Sequence, residues 1–455
     1  DSDHMTNSEA FIAANRFGLG PRPGELAAIG SDPRGWIAEQ ISIVNKVPPE
    51  LRDLPSSEEV IRSVNEARLQ GPERLKKMAK QNFRKTVLTE IAGRTQAQIR
   101  TDQPFRERMV LFWANHFTVS MTKPLIGPSI GAYEREAIRP HVFGRFEDML
   151  LAVAHHPTML SYLDNNISFG PGSFVGKRRG RGLNENLARE ILELHTLGVN
   201  GGYTQADVTE FAKILTGWTH GGTRNKQAIK RLGPIHGNFE FQDIFHEPGP
   251  KTVLGKRYAE NGEQEGVDAL KDIARHPSTA KFIAQKLARH FIADDPSASA
   301  VKALETVFRK TGGHLGRVSE TLIALDAVWQ EPLPKVKTPY ELVVSTLRAV
   351  DFDDIKQRML FGIFREMGHQ PFNAPSPAGW SDHAKDWMSP EALLRRVEWL
   401  RATAARLPRS LSPETVADQT IGPVMSARTQ EMIAAAPSGE EALALLFASP
   451  EFQRR

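Results

Sequence analysis

The sequence contains no cysteine. That excludes disulfides, thiolate nucleophiles, zinc–thiolate sites and clusters held by Cys, and it leaves the compartment open. No run of about 18 apolar residues occurs, so no segment reads as a membrane-spanning helix. Charge of one sign is scarce: 58 Lys and Arg stand against 54 Asp and Glu, a formal net charge of +4. So small an excess does not imply nucleic acid. The P-loop, the dinucleotide fingerprint and the G-x-S-x-G elbow are also missing, which disfavours the enzyme classes that depend on them.

What remains is 455 residues, 40% hydrophobic and 25% charged, an ordinary globular composition with ample material for a large core. Asp1 to His4 ahead of Met5 read as a cloning remnant. After Met5 there is no basic stretch followed by an apolar run, so no export signal is read. The expected location is cytoplasmic, or periplasmic if a leader was removed or a partner carries the chain.

Periodicity is helical almost throughout. Residues 56–102 read as one or two long, basic, polar-faced helices. "QPFRERMVLFWANHF" is apolar in nearly every direction, which marks a buried helix with His116 in or at the edge of a core. Residues 219–258 carry short alternating runs around Pro248-Gly249-Pro250 and read as a small β-hairpin or meander. The Pro- and aromatic-rich stretch near 371–390 is too long to be an idle loop. No fixed-period repeat or long linker is visible. The expected architecture is mainly α: one large multi-helix body over residues 5–455 with a small β insertion at 219–258.

Several segments, in this order, carry a resemblance: "RERMVLFWANHF", "NENLAREILELHTLGVNGGYTQADVTEFAKILTGW", "FHEPGPKTVLG", "HPSTAKFIAQKLARHF", "VKTPYELVVSTLRA" and "SPAGWSDHAKDWMSP". Together they resemble the bacterial family catalogued as domain of unknown function 1800, over most of the chain. The resemblance implies no reaction and supplies no catalytic residues. It implies a context: members are often encoded beside a second family that resembles sulfatases and alkaline phosphatases and often carries twin-arginine export signals. Such a protein is the expected partner.

The candidate site residues come from four places. Stepping about 100° per residue from Asn186 places Arg189, Glu190 and Glu193 on one polar stripe of an otherwise apolar helix. His195 falls about 140–160° from the two glutamates and faces the packed side. The stripe lines a polar cleft, or it is a solvated face with Arg189 paired at i±4. Gly198 then caps the helix in the left-handed conformation, and Thr204-x-x-Asp207 forms a capping box for the next one. "FHEPGPKTVLG" offers His246, Glu247 and Lys251 for proton transfer or acid binding, or as an exposed hairpin tip. "SPAGWSDHAKDW" offers Trp380, Asp382 and His383 for ligand contact, or two tryptophans that pin a loop. "LDNN" reads as Asx-type capping or as a cluster of oxygen ligands. "GKRRGRG", with Lys177, Arg178, Arg179 and Arg181, is a polyanion contact or a solvated loop.

No metal set is read, because no ligand spacing fits, and no cofactor is named. The expectation is one cleft in which Glu190, Glu193, His246 and His116 are catalytic. Asn186, Arg189, Lys251, Trp380 and His383 bind the ligand. The function expected is that of a cell-envelope enzyme or ligand-binding protein, with carboxylate and histidine acid–base chemistry on a polar or anionic substrate. The alternative is a non-catalytic accessory protein for the phosphatase-like partner.

Overall fold

Helix starts repeat a few local devices. Ser56 with Glu59, Thr204 with Asp207 and Thr338 with Glu341 are reciprocal capping boxes, each satisfying two backbone donors that an uncapped helix leaves open. Proline occupies the first helical position of many others, where its missing N–H costs nothing. The structure, a computed structural model, describes residues 8–455 apart from 45, 181, 222–226, 228, 231, 232, 331, 332 and 353, and not the side chain of Arg179. Asp1 to His4 and Arg181 therefore lie outside the described residues, as does part of the 219–258 insertion.

The architecture is mainly α. The helices that position the site are α1 (Arg84–Arg100), α2 (Pro104–His116), α3 (Asn186–Glu190), α4 (Gln205–Leu215), α5 (Glu263–Ala274), α6 (Pro277–Phe291), α7 (Pro339–Ala349) and α8 (Pro390–Ala404). Between α4 and α5 lie two antiparallel pairs: β1 (Trp218–His220) with β2 (Phe239–Phe241), and β3 (Lys251–Val253) with β4 (Lys256–Tyr258). Trp218 faces Phe241 in the first pair and Lys251 faces Tyr258 in the second. One apolar core runs from Ala10 to Phe452. No described helix is long and apolar enough to cross a membrane.

α2 is buried nearly all round, from Phe105 to His116, as its apolar sequence requires. The stretch 56–102 departs from its reading. It divides into Ser57–Gln70, Pro72–Met78, a π turn at Ala79–Phe83, and α1. α1 is largely buried rather than polar-faced. It can be, because its charges are neutralised in pairs: Arg135 Nη2 to Glu90 Oε1 at 3.0 Å and Arg94 Nη2 to Glu134 Oε2 at 2.9 Å. A buried charge with a hydrogen-bonded partner avoids most of the cost of isolation.

The segment Asn186–Thr196 folds as expected on its packed side. Leu187, Ala188, Ile191, Leu192 and His195 are buried. Its last turn widens into a π turn, Ile191–Thr196, where Leu197 N–H reaches back to Leu192 O. Gly198 follows at φ +82°, and a Cβ there would meet the Phe282 ring of α6 at 2.7 Å. "LDNN" caps nothing. Asp164 pairs with Lys123, and Asn165 donates to the carbonyls of Leu215 and Trp218, both at 3.0 Å. Buried carbonyls at the α4–β1 junction hold the asparagine more strongly than its own turn would.

Candidate functional site

α2, α6, α7 and the loop at 371–383 enclose a cavity of about 970 Å³, counting its open mouth. Its apolar wall includes Phe112, Phe372 and Trp380; its polar wall includes Lys286, His290 and Asp382. Phe372 holds φ +62°, a left-handed conformation that bulky residues rarely adopt. Its carbonyl accepts from Met121 N–H at 2.8 Å. Backbone strain of this kind concentrates at working sites.

The loop is fastened to the end of α2. Asn115 Nδ2 donates to Trp380 O at 2.9 Å, and Trp380 N–H donates to Asn115 Oδ1 at 2.7 Å. The approach is close enough to require Gly379, φ +81°, because a Cβ there would lie 2.5 Å from Asn115 O. His369 fills the space between Trp380 and Trp387, with ring centres 4.7 and 4.8 Å away. The two tryptophans thus pin the loop, and Trp380 also lines the cavity.

So fastened, the loop delivers Asp382 to α6. His290 Nδ1 lies 2.8 Å from Asp382 Oδ1, while His290 Nε2 is buried without a hydrogen-bond partner. A carboxylate accepts only, so Nδ1 carries the proton and Nε2 keeps its lone pair. Burial pushes His290 down to about 4, against the opposing pull of Asp382. The imidazole is therefore neutral at pH 7. Asp382 is held well below the usual carboxylate range, mainly by His290, with Lys335 and Arg455 adding to the effect against burial.

Lys286 stands one turn earlier on α6, at i−4 from His290, and lines the same cavity. Residues at this spacing share a helix face. Its ammonium makes no hydrogen bond or ion pair with a described residue; it stands 5.7 Å from the centre of the Phe282 ring, and its charge helps to lower the pKa values of His116 and His195. Burial lowers its pKa, with Asp382 opposing. The other cations in the wall are committed. Arg94 is paired to Glu134, as above. Arg108 is paired to Glu341, which also binds Arg455 at 2.9 Å, and Arg455 in turn donates to His290 O at 2.9 Å.

Of the expected site residues, His116 and Trp380 line this cavity and the others lie elsewhere. His116 Nε2 meets His195 O at 2.9 Å, so it donates there and is left with an unpartnered Nδ1. Burial keeps it neutral, well below the usual histidine range. The polar stripe lies elsewhere. Asn186 is exposed, and Arg189 pairs with Glu185 at 2.9 Å and with Gln205 of α4 at 3.0 Å. Glu193 accepts from Tyr203 at 3.4 Å. Glu190 is half-buried beside Glu193 and Tyr162, its pKa raised by burial first and by Glu193 second. The stripe therefore packs toward α4 and Tyr203.

The hairpin residues are a third group, and they are not an exposed tip. His246, Lys251 and Glu265 are all buried. Lys251 Nζ binds Glu265 Oε1 at 2.8 Å and Glu247 O at 2.5 Å, His246 Nε2 contacts the same Glu265 carboxylate, and His246 Nδ1 reaches Thr216 O at 2.7 Å. This triad ties the β insertion to α5 and leaves its polar atoms mostly occupied. His383 sits beside Asp294, 4.0 Å away, outside the cavity lining. Arg178 of "GKRRGRG" folds over Phe174, 4.8 Å to the ring centre. No group of three or more potential metal ligands occurs among the described residues.

Sequence reasoning missed Lys286 and His290. Their i,i+4 spacing in "QKLARH" was readable, but Asp382 lies 92 positions away, and nothing local announces it.

The protein is thus a mainly α-helical body with a polar–aromatic cavity that holds a carboxylate-anchored histidine. The chain belongs to the family described as "Protein of unknown function (DUF1800)", whose model matches residues 12–454. No curated protein and no solved structure matches it significantly.

Proposed function

We propose that the α2/α6/α7 cavity is the working site of an enzyme that binds a small polar molecule and moves a proton on it, with His290 as the base and Asp382 as its orienting carboxylate. One observation carries this reading. Four of the six segments that bear the family resemblance meet here: Asn115 and His116 from the first, Lys286 and His290 from α6, Glu341 from α7, and Trp380 and Asp382 from the loop. A neutral imidazole with one nitrogen bound to a carboxylate and the other free is the arrangement general-base chemistry requires. Ionised groups of both signs balance in the wall, so a small neutral or singly charged substrate fits better than a polyanion.

The test is ligand-observed NMR of the purified chain against a panel of small carbonyl, hydroxy and carboxylic acid compounds. Binders of the wild type are expected to lose at least about tenfold in affinity in Lys286→Met, the loss of one charged hydrogen bond desolvated in a cavity. They are expected to survive Lys256→Met, on the exposed end of β4. Binding unchanged in Lys286→Met, His290→Gln and Trp380→Ala would remove the cavity from consideration. A second reading, an accessory protein for a phosphatase-like partner, would then take its place. It is favoured by an apolar stripe on α8, where Leu394 is 57% and Val397 43% exposed. That reading requires Leu394→Glu to abolish co-purification with the partner.

A further inference from the structure

The geometry points to Lys286 as an imine-forming lysine, so that the cavity takes an aldehyde or ketone and holds it covalently. This rests on the cavity reading above and names its substrate class.

Three features on the page lead there. First, Lys286 is the cation of the wall with no anion bound to it. Arg94 and Arg108 each hold a glutamate, whereas the Lys286 amine has the Phe282 ring as its neighbour. A lysine kept for charge would be paired; an amine left unpaired against an aromatic face is free to react. Second, His290 stands one turn along the same helix face, with its Nε2 unpartnered and its other nitrogen held by Asp382. Third, aromatic faces stand in the same wall, at Phe112, Phe372 and Trp380, and give the apolar part of a carbonyl compound a surface to pack against.

The step balances. The neutral amine adds to the carbonyl carbon and a C–N bond forms. His290 Nε2 takes a proton from the new ammonium and passes it to the alkoxide oxygen, giving a neutral carbinolamine. The nitrogen lone pair then closes the C=N bond as the C–O bond breaks. The remaining N–H proton passes through His290 Nε2 to the departing hydroxide, which leaves as water. One carbonyl compound and one lysine give one imine and one water, with His290 unchanged and Asp382 facing its transient positive charge.

The experiment treats the full chain at pH 7 with acetaldehyde, benzaldehyde or pyruvate and sodium cyanoborohydride. Intact mass and peptide mapping then locate the secondary amine. Lys286 is expected to be modified first, ahead of the exposed lysines, because its amine lines the open cavity without an ion pair and burial lowers its pKa. Lys337, which burial depresses to about 7, lies buried outside the cavity lining and is shielded from the reagents. His290→Gln is expected to slow the reaction while leaving Lys286 its target. Lys286→Arg is expected to abolish the fast adduct while retaining the wild-type circular dichroism and melting transition. Adducts spread evenly over exposed lysines would overturn the inference. If compounds of the panel still bind in the cavity by NMR in that case, the cavity reading stands and the imine fails. If neither adduct nor binding is seen, both fail.

Discussion

As pH falls from 6.5 toward 4, the protein is expected to lose stability steeply. His116, His155, His195, His220, His290 and His369 all have pKa values depressed chiefly by burial. Those of His155, His220 and His290 fall to about 4, and those of His195 and His369 to about 3. In the unfolded chain each titrates near the ordinary histidine value. Above about 6.5 both states are neutral and the stability is fully present. Below it the unfolded chain binds protons that the folded chain refuses, so the folded state loses ground until the folded values are reached. Each histidine contributes up to about 1.4 kcal/mol per pH unit, so six acting together approach about 8 kcal/mol per unit. Glu90 and Glu190, whose pKa values burial raises, act in the opposite sense, but they are two against six. Domains of this kind are stable by about 5–15 kcal/mol, so unfolding is expected near pH 5. Urea denaturation at pH 7.5, 6.5, 5.5 and 5.0 measures it, and His220→Asn should reduce the slope by about one proton. A stability constant from pH 6.5 to 5 would contradict the burial of these rings.

Glu341→Ala is expected to destabilise by about 3–5 kcal/mol, because it leaves buried guanidinium groups without their anion. Glu341 binds both Arg108 and Arg455. Its other oxygen accepts from Thr338 N–H at 2.7 Å and so caps α7, which adds about 1 kcal/mol to the loss. Its two cations hold it well below the usual carboxylate range, even though burial opposes them. Glu341→Gln keeps the shape and the cap but not the charge, and should fall between the two. Denaturant midpoints of the three proteins decide it. A loss under about 1 kcal/mol for Glu341→Ala, the range of an exposed pair, would show that the ion triad is solvated and that the cavity wall is not held as described.

The fold was legible where a local rule suffices. The capping box at Thr204, the largely buried α2, the left-handed Gly198, the packed His195 and the β insertion all follow from spacing and turn chemistry. The buried half of α1 was not legible, since Glu90 and Arg94 read as a polar face until Arg135 and Glu134 arrive from 40 or more positions away. The candidate site was half legible. His116 and Trp380 were singled out for their setting and do line the cavity. The hairpin residues were singled out for their chemistry, but their chemistry is spent on Glu265. Helical projection correctly separated His195 from Glu190 and Glu193. It could not reveal that the cavity histidine held by a carboxylate would be His290, whose partner sits on a loop fixed by an asparagine of a different helix.

The central claim is a neutral His290 held through Nδ1 by Asp382, with Nε2 buried and without a hydrogen-bond partner. Nitrogen-15 NMR of histidine-labelled protein at pH 7 tests it most directly, with His290→Gln identifying the signals. The structure predicts a neutral ring protonated on Nδ1 and bare at Nε2, with that tautomer preference weakened in Asp382→Asn. An imidazolium at pH 7, or a ring protonated on Nε2 alone, would contradict it.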